Sequence, residues 1–191
     1  MFIDEKILTR LMKRAYKGNG VFMAREDGWY YLKGGYWDAK IAVGCMPRSV
    51  LGLMIQMCGA IPEEGERWTS DKDQDQFEMF LGGLEMPKQR VSMFKRRVAL
   101  LSPGGTPMQV LQLENDAVMY FSMELLAAAN PACLDTENQE SNLTGPFYDG
   151  EHGTFWETNQ AVWHIIQPTY DDLNSIVDYL SDTALEIEDP E

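Results

Sequence analysis

Cys45, His152 and His164 are the residues whose types could support covalent chemistry. Cys45 follows a strand-like run, residues 36–43, and precedes a helix-like run, residues 46–58. A helix N-terminus favours the thiolate, and the thiolate is the nucleophile. His164 sits in the strand-like run 161–167 and is the candidate base, with His152 of Glu-His-Gly as a second option. This layout suits a cysteine-dependent hydrolase using Cys45 and His164. The competing reading is a small buried side chain at a strand end and a half-buried histidine. No local motif around Cys45 favours the first over the second.

Other chemistries find less. Asp71, Asp73 and Asp75 alternate like the opening of a calcium loop, but Gln76 and Gly82 occupy the places of its glycine and glutamate. Two histidines without C-x-x-C or H-x-x-x-H exclude the usual zinc spacings. Gly82-Gly83 and Gly104-Gly105 lack the flanking residues of a phosphate-binding loop. No metal and no cofactor are therefore expected.

Charge carries the strongest signal. All 16 lysines and arginines lie within residues 1–97, beside 13 acids. Residues 98–191 carry 17 acids and no base. A tract of that length would hold about ten bases at average usage, so composition alone does not account for the segregation. Glu63, Glu64, Glu66, Asp71, Asp73, Asp75 and Glu78 form one acidic cluster. Asp135, Glu137, Glu140, Asp149 and Glu151 form a second. Asp171, Asp172, Asp178 and Asp182 begin a third that runs on through Glu186, Glu188, Asp189 and Glu191. Carboxylates on a rigid scaffold present a phosphate-like field and attract a basic partner in a salt-dependent way. Direct nucleic-acid binding could run only through the first half, by the basic cluster Lys88, Arg90, Lys95, Arg96 and Arg97 and the basic face of residues 3–17, and a net charge of −14 opposes it.

The elements that must position these residues follow from periodicity and punctuation. Residues 3–17 read as a helix with a basic outer face, closed by Gly18 and Gly20. Residues 21–25, 29–33 and 36–43 read as a three-stranded antiparallel meander, its first turn at Asp27-Gly28. Residues 46–58 read as a helix with Pro47 just inside its start and Gly59 past its end, apolar nearly all round and so buried. Ser70-x-x-Asp73 signals a helix over residues 70–81. Residues 88–101 suit a helix or a strand, with a strand from about Arg90 favoured. A hairpin is expected over 108–121, a short helix over 122–129, and a loop with short strands over 132–160. Phe147, Tyr148, Phe155 and Trp156 of that loop are candidate anchors for a partner. A strand over 161–167, a last helix after Thr169-x-x-Asp172 and a frayed tail over 186–191 complete the chain.

The expected fold is one α+β domain over residues 1–191, with antiparallel meanders packed against about four helices. The start of the sequence lacks the apolar stretch of a secretory signal, and three cysteines suit a reducing cytoplasm. No apolar run reaches the length of a membrane span. The functional expectation is a non-enzymatic acidic binding or inhibitor protein. It would occlude a basic protein partner, a nucleic-acid-binding enzyme or a toxin, without binding nucleic acid itself. Anti-restriction, anti-CRISPR and immunity proteins are the class suggested, by analogy of charge. A structural subunit of a larger complex, with its 12 methionines partly at an interface, is the third reading.

Overall fold

Side chains alternate between the two faces of a strand, so a strand covered on both sides separates its residues into two sets. The computed structural model shows this sorting in most strands; it describes residues 1–73, 76, 84, 86–87, 94–102, 105–113, 117–135, 137 and 139–168. Strands β1 (Val21–Glu26), β2 (Trp29–Lys33) and β3 (Trp37–Ala42) form the expected meander. They belong to a sheet of seven strands in the order β4-β1-β2-β3-β10-β9-β8. Its outer members are β4 (Arg67–Ser70) on one side and β8 (Thr144–Tyr148), β9 (Gly153–Glu157) and β10 (Ala161–Ile166) on the other. Every pairing is antiparallel. The β3–β10 pair joins the base-containing and base-free halves of the chain into one sheet. A second sheet has the order β5-β6-β7, from Phe94–Leu101, Met108–Leu113 and Val118–Ser122.

One face of the large sheet carries Val21, Met23, Tyr30, Leu32, Trp37, Ala39, Ile41, Trp163 and Ile165 into the main core. Three α-helices among the described residues complete it: α1 (Glu5–Lys17), α2 (Arg48–Cys58) and α3 (Met123–Ala128). Leu111, Leu113, Met119 and Phe121 add one face of the small sheet. Asp4 caps α1 by accepting from Lys6 N and Ile7 N at 2.9 and 3.0 Å, which satisfies two otherwise orphaned donors. Residues 2–4 lie along the end of α3, through Asp4 N to Ala128 O and Asn130 N to Phe2 O. Deep in the core Trp163 stacks on Trp37 at 5.6 Å, and its indole N–H donates to Leu125 O at 3.0 Å.

The fold corrects several expectations. Residues 67–70 form β4, and its last residue, Ser70, is where the 70–81 helix was expected to start. Trp68 opposite Met23 and Ser70 opposite Val21 gain ladder bonds and burial that a capping-box signal does not offset. Asp71 instead accepts from Asp73 N at 2.8 Å, in a local turn. The rest of the expected 70–81 helix lies outside the described residues, apart from Gln76, and so does the last helix after Thr169. The helix count among the described residues is therefore three rather than four. Pro47 is the N-cap of α2 and not its first residue, and Gly59 closes the helix in the left-handed conformation. α2 is also less buried than its composition suggested: Val50, Leu53, Met54 and Met57 face the core, while Ile55 is 51 % exposed. The ambiguous run 88–101 is a strand over Phe94–Leu101.

Replacing Trp163 with Phe keeps a ring against Trp37 but strands the buried Leu125 carbonyl. We expect W163F to lose about 1–3 kcal/mol of stability. Urea unfolding measures this, and an unchanged midpoint contradicts it.

Candidate functional site

His164 lies between Trp163 and Ile165, which face the main core, so its ring projects from the opposite face of the sheet. The register sets Asp38 of β3 directly beside it and Lys33 of β2 beside Asp38. The turn between β8 and β9 brings a second carboxylate, Asp149. His164 Nδ1 is 3.2 Å from Asp38 Oδ2, and Nε2 is 3.0 Å from Asp149 Oδ2. Lys33 Nζ is 3.9 Å from Asp38 Oδ2. The other oxygen of Asp149 accepts from Glu151 N and Gly153 N at 2.8 and 2.9 Å, which aims Oδ2 at the imidazole. Gly153 makes the approach possible. A Cβ there would overlap His164 Nε2, Asp149 Oδ2 and Ile165 O, so no larger residue fits beneath the His164–Asp149 bond.

A carboxylate only accepts, so an imidazole facing a carboxylate at each nitrogen holds both bonds only with both nitrogens protonated. Burial alone would push the His164 pKa down; the bonds to Asp149 and Asp38 outweigh it and hold it above the ordinary value. Burial likewise pushes the Asp149 carboxyl up, but the His164 bond and the two backbone donors hold it below the usual range. The arrangement is a buried imidazolium between two carboxylates, with a lysine beside one of them. A general base needs a nitrogen free to take a proton, and neither nitrogen of His164 is free.

The structure does not bring Cys45 and His164 together. Cys45 ends a short 3₁₀ turn, Val43–Cys45, ahead of Pro47 and α2. Four residues of strand, about 13 Å, separate Asp38 from Ala42, and Cys45 lies beyond that end. Its thiol lines a cavity of about 570 Å³ with Cys133, Met1, Glu5, Asp135 and Glu137. The helix start does not activate it. Burial, with Glu140 and Asp135 adding to it against the Met1 amino group, pushes the Cys45 thiol up, and burial does the same to Cys133. His152 is exposed in the β8–β9 turn.

The acidic residues divide into two kinds. Some build the fold. Glu124 of α3 takes Arg10 and Arg14 of α1, so the basic face of that helix docks on an acid of the base-free half. Glu140 is buried and accepts from Phe2 N at 3.0 Å, Asp135 N at 2.8 Å and Thr158 Oγ1 at 2.9 Å, with the Met1 amino group at 3.1 Å. Burial pushes its carboxyl up, and these donors more than reverse that. The others face solvent. Glu63, Glu64 and Glu66 are exposed on the turn before β4. That turn is tied to β1 by Gly65 N to Arg25 O at 2.8 Å and Arg25 N to Glu66 O at 3.0 Å. Glu64 also meets the Arg25 side chain at 3.3 Å. Asp73, Glu137 and Glu151 are exposed, and Asp71 is half-buried. Asp75, Glu78, Asp171, Asp172, Asp178 and Asp182 lie outside the described residues.

The aromatic anchors are not free. Phe155 and Trp156 are buried, Phe147 packs on Phe155 at 5.4 Å, and the Tyr148 hydroxyl donates to Glu151 O at 2.7 Å. Among the described residues no group of three or more His, Cys, Asp or Glu is placed to hold a metal, and no helix is long and apolar enough to cross a membrane.

Sequence reasoning found His164 but not its partners Asp38, Asp149, Lys33 and Gly153. Two signals were present. His164 and Asp38 each sit at the out-of-core position of an alternating strand, and Asp149-Gly150 is a turn dipeptide. A comparison with protein-family models, curated proteins and solved structures gave no match.

Two expectations follow. G153A forces apart His164 and Asp149 and is expected to lose about 1–3 kcal/mol, measured by urea unfolding; an unchanged midpoint contradicts the packing described. Glu124, Glu140 and Asp149 all have carboxyls held low in the fold. Their contribution is complete above the unfolded carboxylate pKa of about 4 and is lost as pH falls through the lower folded values. E140Q should flatten part of the acid limb of a stability–pH curve, and an identical limb contradicts this.

Proposed function

We propose that the protein is a non-enzymatic acidic binding protein that occludes a basic partner, most naturally the nucleic-acid-binding groove of an enzyme or a toxin. The observation that carries this reading is the base-free tract from residue 98 to residue 191. A merely acidic protein has no need to exclude every lysine and arginine from half of its length. Intramolecular pairing supports the reading in a second way. The α1 arginines engage Glu124, so that part of the basic half is neutralised internally. Glu63, Glu66 and Asp73 stay exposed, and the first two stand on a turn fastened to the sheet. Fixed carboxylates lose little freedom on binding, and their field acts over about a Debye length of 8–10 Å. Asp38, Glu124, Glu140 and Asp149 do not belong to the interface, because the fold engages them.

The test is capture of a partner from lysate of the native source at two salt concentrations with three baits. These are the natural chain, E63Q/E64Q/E66Q/D73N, and D171N/D172N/D178N/D182N. The expected result is a basic protein retained at low salt, weakened by added salt, reduced at least tenfold by one quadruple variant, and competed off by that protein's own nucleic acid. Retention equal for all three baits, or unaffected by salt, contradicts the proposal.

A further inference from the structure

His164 connects two parts of the fold that differ in how firmly they are held. Asp38 is in the interior of the large sheet, with β2 on one side and β10 on the other, and is buried beside Lys33. Asp149 is in a turn that leads from the edge strand β8 to β9. The β8–β9 ladder is itself interrupted between Thr144 and Phe147. Asp149 ties the turn to His164 with one oxygen and accepts from Glu151 N and Gly153 N with the other, while Gln167 N to His152 O at 2.8 Å and Tyr148 Oη to Glu151 O at 2.7 Å hold the rest of the turn.

Removal of one proton changes this geometry. A neutral imidazole donates from one nitrogen only, so one carboxylate would then face a lone pair at hydrogen-bond distance. Two acceptors in a buried site repel and leave both unsatisfied. Asp38 is held by a strand on each side and by Lys33, so the Asp149 side is the one that can move. We propose that protonated His164 is a pH-dependent latch that fastens the Asp149 turn to the middle of the sheet, and that loss of its proton loosens the turn and the backbone amides of Glu151 and Gly153 that Asp149 holds. The titratable groups facing the latch among the described residues are Lys33 from β2, Asp38 from β3 and Asp149 from the turn. Tyr148, Glu151 and His152 flank it along the turn. Phe155 of β9, the other cross-strand neighbour, carries no charge.

The sign follows from linkage. The His164 pKa is raised in the fold, so the latch is complete below the unfolded value of about 6.5 and is lost as pH rises through the folded value. Between those two values the opening equilibrium grows about tenfold per pH unit. The latch is therefore closed in mildly acidic solution and opens as pH rises through the folded His164 value.

The experiment is NMR on the full chain, with imidazole 15N shifts to titrate His164 and hydrogen exchange to follow the turn. Protection factors are compared between pH 6 and pH 9 after correction for the intrinsic rate. The expected result is both ring nitrogens of His164 protonated at pH 6.5. Protection at Glu151 and Gly153 should then fall in step with the His164 titration, by about tenfold per pH unit. D149N should show low protection at all pH values and no such step. H164Q, which keeps a donor but no proton to lose, should show a flat profile. A single-tautomer neutral His164 at pH 6.5 overturns the proposal. So does a protection step that persists in D149N, or one that does not track the His164 titration. The wild-type measurement decides the matter even if a variant does not fold.

Discussion

The antiparallel pairing of β3 with β10 is the contact on which the rest of the molecule depends. It joins residues 126 positions apart in the chain, as between Asp38 and His164, and it makes one sheet of two meanders. Its two faces do different work. On the core side it sets Trp37 against Trp163, the stack around which the helix layer is built. On the other side the same register sets Asp38 against His164. A slip of one residue would exchange the two faces, placing the ionic cluster in the apolar core and the indoles outside it. The buried charges thus oppose misregistration as well as linking strands, a role in specificity that buried ion pairs fill in some proteins.

The separation of charge along the chain looks different once the chain is folded. In sequence, one half is basic-leaning and the other holds only acids. In the structure, β3 and β10 join the halves side by side in one sheet, and α1 presents Arg10 and Arg14 to Glu124 of α3. The acids of the second half that the fold engages have specific donors: the Phe2 and Asp135 amides for Glu140, and His164 with two amides for Asp149. A base-free half is therefore partly an architectural feature. The first half supplies the cations that some of those acids meet, and the acids left at the surface make up the field available to a partner.

Local features of the fold were legible in the sequence where a local cause decides them. Asp27-Gly28 and the alternation on either side gave β1 and β2, and Gly59 gave the end of α2. Pairing between distant strands was not legible, because nothing in residues 37–42 specifies residues 161–166 as neighbours. The histidine cluster was missed for that reason. His164 was visible, as a candidate base for Cys45 or as a half-buried histidine, but its partners come from other segments, and both its nitrogens are engaged. The Ser70-x-x-Asp73 signal misled for a related reason: β1 offered residues 67–70 a ladder that the local pattern does not reveal. The acids that the sequence groups into three clusters divide in the fold into engaged and exposed ones, since burial depends on contacts from elsewhere in the chain.

Carboxyl footprinting measures that division of the acids directly. The folded chain is treated at neutral pH with a water-soluble carbodiimide and glycine ethyl ester, and labelling is followed residue by residue by mass spectrometry. Fast labelling is expected at Glu63, Glu66 and Asp73, and strong protection at Asp38, Glu140 and Asp149, which becomes equal to the rest only after unfolding. Labelling of Glu140 and Asp149 at the rate of Glu63 in the native protein would contradict that division, because those carboxylates could then not be the ones that hold the fold together.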